Sequence, residues 1–243
     1  MRIADMNWMQ VEAYLDTDDR CVVPIGSTEQ HGYLSLCVDA ILSERVAQEA
    51  AAAAGVPVYP VMPFGCAPYF SAFPGSISLR VETLLAVVRD VMTSVYGAGF
   101  RRVLIVNGHG GNAAVGNLCR ELIAAHGGLS IKFHNWWTGP RTVARAKQIS
   151  PNPSHANWFE NFPWTRLADV SMPSEKPMVD LRRLALSDPA SARALLGDGC
   201  FGDAYQMPDE DMHALWAVGV EETRQELEQD WPAAVRFAEW RWR

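Results

Sequence analysis

The chain has 243 residues, 49% apolar and 20% charged, which excludes disordered and fibrous classes and suits one compact α/β domain. Asp and Glu (28) outnumber Lys and Arg (21), a formal charge of −7 that disfavours nucleic acid as a partner. No apolar run reaches the roughly 18–20 residues that a bilayer span needs, so a membrane is disfavoured too.

The opening MRIADMNWMQVEAYL carries acidic residues and no apolar h-region, unlike a secretory signal, and a cytoplasmic location is expected. Residues 21–25 (CVVPI) predict a buried strand ending in a Gly-Ser turn. Residues 39–54 predict a helix stopped by Gly55. Residues 56–62 (VPVYPVM) predict a second short strand, and 76–79 a third. Apolar residues at helical spacing predict a helix over 82–96. Residues 102–107 (RVLIVN) predict a strongly apolar strand running into GHGGN, then a helix over 112–125 and a strand over 129–133. Strands alternating with helices imply a mostly parallel sheet covered on both faces, with ligands gathering at the carboxyl ends of its strands.

Residues 136–177 break this rhythm with many Pro and Trp and little periodicity, the mark of a functional region. Two helices follow, near 187–196 and 209–228, with Asp209 as a candidate cap for the second. No domain boundary is visible, so residues 1–243 read as a single domain. Cys21, Cys37, Cys66, Cys119 and Cys200 form no CxxC pair, and they are expected as reduced, mostly buried thiols.

Three clusters carry chemistry. In GSTEQHG, Glu29 and His31 are two apart just after a strand, so both side chains can face one ligand. Asp39 opens the next helix, where it serves as an ordinary cap or as a third member of that cluster. In NGHGGN, His109 sits between glycines at the sheet's carboxyl edge. That loop suits a phosphate cradle at a helix N-terminus, but it lacks GxGxxG and P-loop spacing. Histidine with carboxylates suits a divalent cation such as Zn²⁺ or Mn²⁺. In HANWFE, His155 and Glu160 would diverge by about 140° if that stretch were helical, and so do different jobs. His126, His134 and His213 lack such company and are read as structural.

In content and order, PIGSTEQHG…VDAIL, FPGSISL, IVNGHGGN and HANWFEN resemble the creatininase (creatinine amidohydrolase) family, and the match extends through GDGCFGDAYQMPDEDMHALWAVGVEE. The resemblance implies a three-layer α/β/α sandwich with a mostly parallel central sheet. It also implies two divalent metal ions, Zn²⁺ or Mn²⁺, and a homo-oligomer, in the family often a hexamer. Carried over residue by residue, Glu29 and His109 hold one metal, His31 holds the other and Asp39 bridges them. Creatininase itself supplies a glutamate two residues after the histidine of its GH motif, where this chain has Gly111. Many relatives with GHGGN use the glutamate of an HAxxxE motif instead, which assigns Glu160 to the second metal and leaves His155 as acid/base.

The chain also departs from the family pattern. EQHGYLSLCVD is one residue shorter than the usual EQHGPHLPLxTD and lacks its second histidine, and APYFSA stands where relatives often place a Glu-His pair before FPG. The metal site reads as retained and the substrate pocket as altered.

The mechanism so implied is attack of a metal-activated water on a carbonyl carbon. Backbone N–H groups at Gly110 and Gly111 would help hold the oxyanion, and His155 would pass a proton to the leaving nitrogen. Trp136, Trp137, Trp158 and Trp164 offer flat faces for a small cyclic substrate or simply pack the core. Trp136, Trp158 and Tyr33 are counted with Gly110 and Gly111 as substrate contacts. The expected activity is opening of a cyclic amide at its C–N bond. One alternative is C–C cleavage of a cyclic ketone such as an oxidised cyclitol. A second, from another class, is a non-catalytic nucleotide- or phosphate-binding module.

Overall fold

A computed structural model of the chain describes residues 1–232, so the last 11 of the 243 lie outside the described residues. Helix α1 (Trp8–Leu15) leads into strand β1 (Arg20–Ile25) and helix α2 (Val38–Ala52). Helix α3 (Val81–Gly97), β2 (Arg102–Asn107), α4 (Ala114–Ala125), β3 (Ser130–Asn135) and α5 (Pro140–Ile149) follow. The last part holds the two-residue strand β4 (Glu175–Lys176), short helices α6 (Leu181–Leu184) and α7 (Pro189–Leu196), β5 (Asp203–Ala204) and the long α8 (Asp209–Glu228).

Strands β1, β2 and β3 form a parallel sheet in that order, and Ile25, Asn107 and Asn135 stand level across it. All three strands therefore release their chains at one edge. Successive residues of β2 alternate between two buried faces, as a strand covered on both sides must. Val103 and Ile105 join a core with α3 and α4 residues such as Leu84, Met92 and Leu118. Leu104 and Val106 join a second core with α2 and α8 residues such as Leu42, Val46, Met212 and Leu215. Three layers, α/β/α, are thus built from sequence alternation. No helix among the described residues is long and apolar enough to cross a membrane.

Several local expectations are corrected. Residues 56–62 are no regular strand. They touch β1 only through the isolated bridges Val22–Val58 and Ile25–Met62, because Pro57, Pro60 and Pro63 lack the N–H that a ladder needs. Residues 76–79 likewise make single bridges, Thr28–Ile77 and Gly65–Ser78. The helix expected from Asn112 starts at Ala114, after a 3₁₀ turn over Gly110–Asn112. Asp209 is the first residue of α8 rather than its cap, and its carboxylate accepts from Arg166 at 2.6 Å. The helix expected over 187–196 begins at Pro189, capped by Asp188.

Three helices were not expected: α1, α5 and the four-residue α6. In α1, Asn7 and Gln10 form a capping box. Helix α5 lies inside the proline-rich stretch and has no side-chain cap of its own. Its cap comes from α8, where buried Glu222 accepts from the N–H groups of Arg141 (3.0 Å) and Thr142 (2.9 Å) and from the Thr142 hydroxyl (2.7 Å). A carboxylate at a helix N-terminus is favoured by the helix dipole. This tie also fixes the turn that carries Trp137 over the sheet edge.

The tryptophans divide. Trp136 and Trp158 are core residues, 2% and 0% exposed, so they are not available as the substrate faces expected of them. They pack with Phe159, Phe162, Trp164 and Trp216, at ring distances such as 5.5 Å for Trp136–Trp216. All five cysteines are free, and all but the half-buried Cys37 are buried.

Candidate metal centre

The site lies where β1 and β2 end. After Ile25 the chain turns through Gly26–Thr28 and carries Glu29 and His31 across the strand ends, against the start of α2. Asp39 is the second residue of α2 and caps nothing. Gly108 is required where β2 passes α2, since a Cβ there would lie 2.2 Å from the Asp39 carbonyl oxygen. Two asparagines tie the NGHGGN loop. Asn107 Nδ2 donates to the His109 carbonyl (2.7 Å), and Asn112 Nδ2 donates to the Gly26 carbonyl (3.0 Å).

The 155–160 stretch is not a helix. Ala156 turns the chain at φ 58°, and only Trp158–Glu160 forms a 3₁₀ turn. His155 and Glu160 therefore face the same site, contrary to the divergence a helix would impose. The Ala156 N–H donates to Glu160 Oε2 at 2.6 Å and aims that carboxylate.

The structure brings Glu29, His31, Asp39, His109 and Glu160 together. Ligand atoms of Glu29, Asp39 and His109 lie within 4.8 Å of one another, as do those of His31, Asp39 and Glu160. The two groups share Asp39, whose Oδ1 is 3.1 Å from His31 Nε2 and whose Oδ2 is 3.0 Å from His109 Nδ1. Glu29 Oε1 is 3.3 Å from His109 Nδ1, and Glu160 Oε2 is 3.5 Å from His31 Nε2. A third grouping joins Glu29, His31 and His155.

Backbone carbonyls set the ring faces. A carbonyl can only accept, so His31 donates from Nδ1 to the Glu29 carbonyl (3.1 Å) and His109 donates from Nε2 to the Cys66 carbonyl (3.0 Å). The other nitrogen of each ring faces the carboxylates. Although these atoms are close, His31 Nε2 and Asp39 Oδ2 are buried without a hydrogen bond. They lie around a common space instead of along a shared hydrogen, an arrangement that fits a cation between them.

The electrostatics agree. With protein charges alone, burial opposes ionisation of His31, but the Asp39 and Glu160 carboxylates outweigh it and push the ring up to about 10. His109 is likewise raised, burial being outweighed by the adjacent Asp39 and Glu29 carboxylates. Burial pushes Glu160 up to about 7. Burial and the charge of Asp39 raise Glu29. Burial also opposes ionisation of Asp39, but the two histidines outweigh it and hold its carboxyl well below the usual range. Positive charge is needed inside this ring of acids, and divalent ions supply it in place of protons.

His155 sits at the rim. Its ring stacks on Phe70 (4.8 Å between centroids) and touches Phe201 and His31, while Nδ1 faces Glu29 Oε1 at 3.8 Å and Glu160 Oε2 at 4.0 Å. Nε2 lies 3.0 Å from the Gln30 carbonyl and 2.9 Å from the Gln30 side-chain nitrogen. Gln30 thereby serves either neutral tautomer, as acceptor for Nε2–H or as donor to bare Nε2. Burial, and then the charge of His31, hold the ring neutral, well below the usual histidine range.

A cavity of ≈ 220 Å³ opens on these groups, walled by Tyr69, Trp137, Pro153, Ser154, Phe159 and Phe201. Gly110 lines it but Gly111 does not. A Cβ at Gly111 would lie 1.9 Å from the Cys66 carbonyl oxygen. Tyr33 stands aside from the cavity and packs edge-on against Tyr205 at 5.4 Å. His126, His134 and His213 are outside the site, with His134 paired to the Thr223 hydroxyl at 3.0 Å. Of these wall residues only Trp137 was among the sequence candidates, although APYFSA and the GDGCFGDAY match do contain Tyr69 and Phe201.

A parallel α/β/α sheet with paired carboxylate–histidine cages at its carboxyl edge defines a metal-dependent hydrolase. The creatininase family pattern, described as Creatinine amidohydrolase, matches residues 4–227, and the chain belongs to that family. A creatinine amidohydrolase of Pseudomonas putida is 31% identical over 209 residues, 78% of this chain and 77% of that protein. A 3-dehydro-scyllo-inosose hydrolase of Thermotoga maritima is 30% identical over 107 residues, 43% of this chain and 34% of its own length. A mycofactocin precursor peptide peptidase of Mycobacterium tuberculosis is 35% identical over 44% of this chain and 45% of its own. Among solved structures, a manganese creatininase shares the fold at a TM-score of 0.74 and 23% identity, covering 94% of this chain and 99% of that one.

Proposed function

We propose that residues 1–243 act as a single-domain hydrolase that opens a small cyclic amide at its C–N bond. Glu29, Asp39 and His109 would hold one divalent ion and His31, Asp39 and Glu160 the other, as Zn²⁺ or Mn²⁺. The observation that carries this reading is the shared carboxylate of Asp39, flanked by two histidines whose outer nitrogens are already committed to backbone carbonyls. Divalent ions in such a setting supply Lewis acidity, polarising a carbonyl and lowering the pKa of water.

The chain's own groups do the rest. Phe70 and Phe201 hold the His155 ring in place beside the cages. As a neutral imidazole it takes one proton from water at Nδ1 and returns it to the leaving nitrogen. The water oxygen joins the carbonyl carbon, the C–N bond breaks, and an open-chain acid with a free nitrogen results. The aromatic walls suit a flat ring. They suit a polyhydroxylated cyclitol poorly, because among the described residues Tyr69 and Ser154 are the only wall hydroxyls. The Thermotoga relative is the source of the alternative C–C reading.

Incubation of zinc- or manganese-loaded protein with lactams, imides, formamides and inososes tests the proposal. Ring opening that exposes a new amine or amide is expected. Turnover of inososes alone, with an acid formed and no new nitrogen group, would overturn it. By the family resemblance the chain is proposed to work as a cytoplasmic homo-oligomer, a hexamer, which light scattering on the purified protein checks against the 26.9 kDa chain mass.

A further inference from the structure

The cavity wall is unusual in what it leaves unpaired. Among the described residues, the Tyr69 hydroxyl, the Ser154 hydroxyl and the Trp137 indole N–H have no hydrogen-bond partner, and all three residues line the cavity. Among the described residues, no Lys or Arg lines it. Half-buried donors left unpaired by the protein are placed to pair with a ligand, because an unmade hydrogen bond in a desolvated site carries a cost. With no cation in the wall, an anionic substrate end finds no counter-charge there, which points to an uncharged substrate.

Tyr69 is the most firmly placed of the three. It lies in the 3₁₀ turn Pro68–Phe70, edge-on to Phe70 at 4.4 Å, and Phe70 in turn stacks on His155. Burial raises its phenol above the ordinary value, so the hydroxyl keeps its proton and remains a donor.

We propose that the Tyr69 hydroxyl is a specificity-determining donor that selects uncharged flat rings with a second carbonyl oxygen besides the one being cleaved, the cyclic imide and ureide class. The inference rests on the ring-opening reading above. One carbonyl goes to the metal cages and the other accepts from Tyr69, with the ring lying against Phe159, Phe201 and Trp137. The size permits it: ≈ 220 Å³ equals about seven waters at roughly 30 Å³ each, room enough for a small ring such as succinimide.

Succinimide and 2-pyrrolidinone share a ring and differ by that second carbonyl. Both are assayed with metal-loaded wild type and Tyr69→Phe, checked for equal metal content. Where turnover of the lactam is too slow to follow, its inhibition constant against succinimide is read instead. Tyr69→Phe is expected to lower kcat/KM for succinimide about 10-fold, mostly through KM, and to change the lactam by less than about 2-fold. An equal effect on both rings, or none on succinimide, overturns the role of Tyr69 while ring opening stands. If wild type opens neither ring and no other cyclic amide, the ring-opening reading falls and this inference falls with it.

Discussion

Asp39→Ala is expected to bind neither metal ion and to lose turnover by more than roughly 10³-fold, since metal ions contribute several kcal/mol at about 1.4 kcal/mol per factor of ten. The reason is geometric. Asp39 is the one residue common to both cages, with Oδ1 toward His31 and Oδ2 toward His109. Glu160→Gln provides the contrast. Glu160 belongs to the His31–Asp39 group alone among the two cages, so this variant is expected to keep about one ion per chain. Metal analysis of chelator-free protein beside circular dichroism separates metal loss from unfolding. An Asp39→Ala protein that is folded and still carries two ions contradicts the shared role.

Gly111→Ala has the next largest expected effect. An added Cβ would lie 1.9 Å from the Cys66 carbonyl oxygen and 2.4 Å from His109 Nε2. Those two atoms form the hydrogen bond that sets which His109 nitrogen faces the cage. The methyl must displace the 66 segment or the ring. A stability loss of about 1–3 kcal/mol is expected from the overpacking, with metal affinity and turnover down at least about 10-fold from the disturbed ligand support. Gly111→Glu is expected to fare no better, although the family resemblance implies a glutamate at this place, because the clash arises at Cβ before any carboxylate can reach a metal. Thermal melts and metal titration check both variants. A Gly111→Glu protein with wild-type melting temperature and higher metal affinity would contradict this account.

Much of the layer plan was readable along the chain, because strands buried on both faces show as continuous apolar runs. RVLIVN matches β2 from Arg102 to Asn107, and the periodic stretch from Asp209 to Glu228 matches α8. Glu29, His31 and His109 were conspicuous because they follow apolar strands directly, whereas Asp39 also read as a helix cap and Glu160 was assigned only through the family resemblance. Other features depend on contacts between distant segments. Helix α5 is capped by Glu222 from α8, 80 or more residues away. Whether Trp136 or Trp137 faces the core is set by the turn leaving β3, and neighbouring letters do not reveal it. The His155–Glu160 pairing depends on one residue, Ala156, in a left-handed conformation that alanine rarely adopts. The cavity wall gathers residues from 69, 137, 153–154, 159 and 201, which no local pattern connects.

The most direct measurement is anomalous diffraction from crystals of protein loaded with zinc or manganese. Two peaks per chain are predicted on either side of the Asp39 carboxylate, one against Glu29 and His109 and the other against His31 and Glu160. A loaded protein with no peak at Asp39, or with its ions bound elsewhere, would contradict the dinuclear centre and the hydrolytic function argued from it.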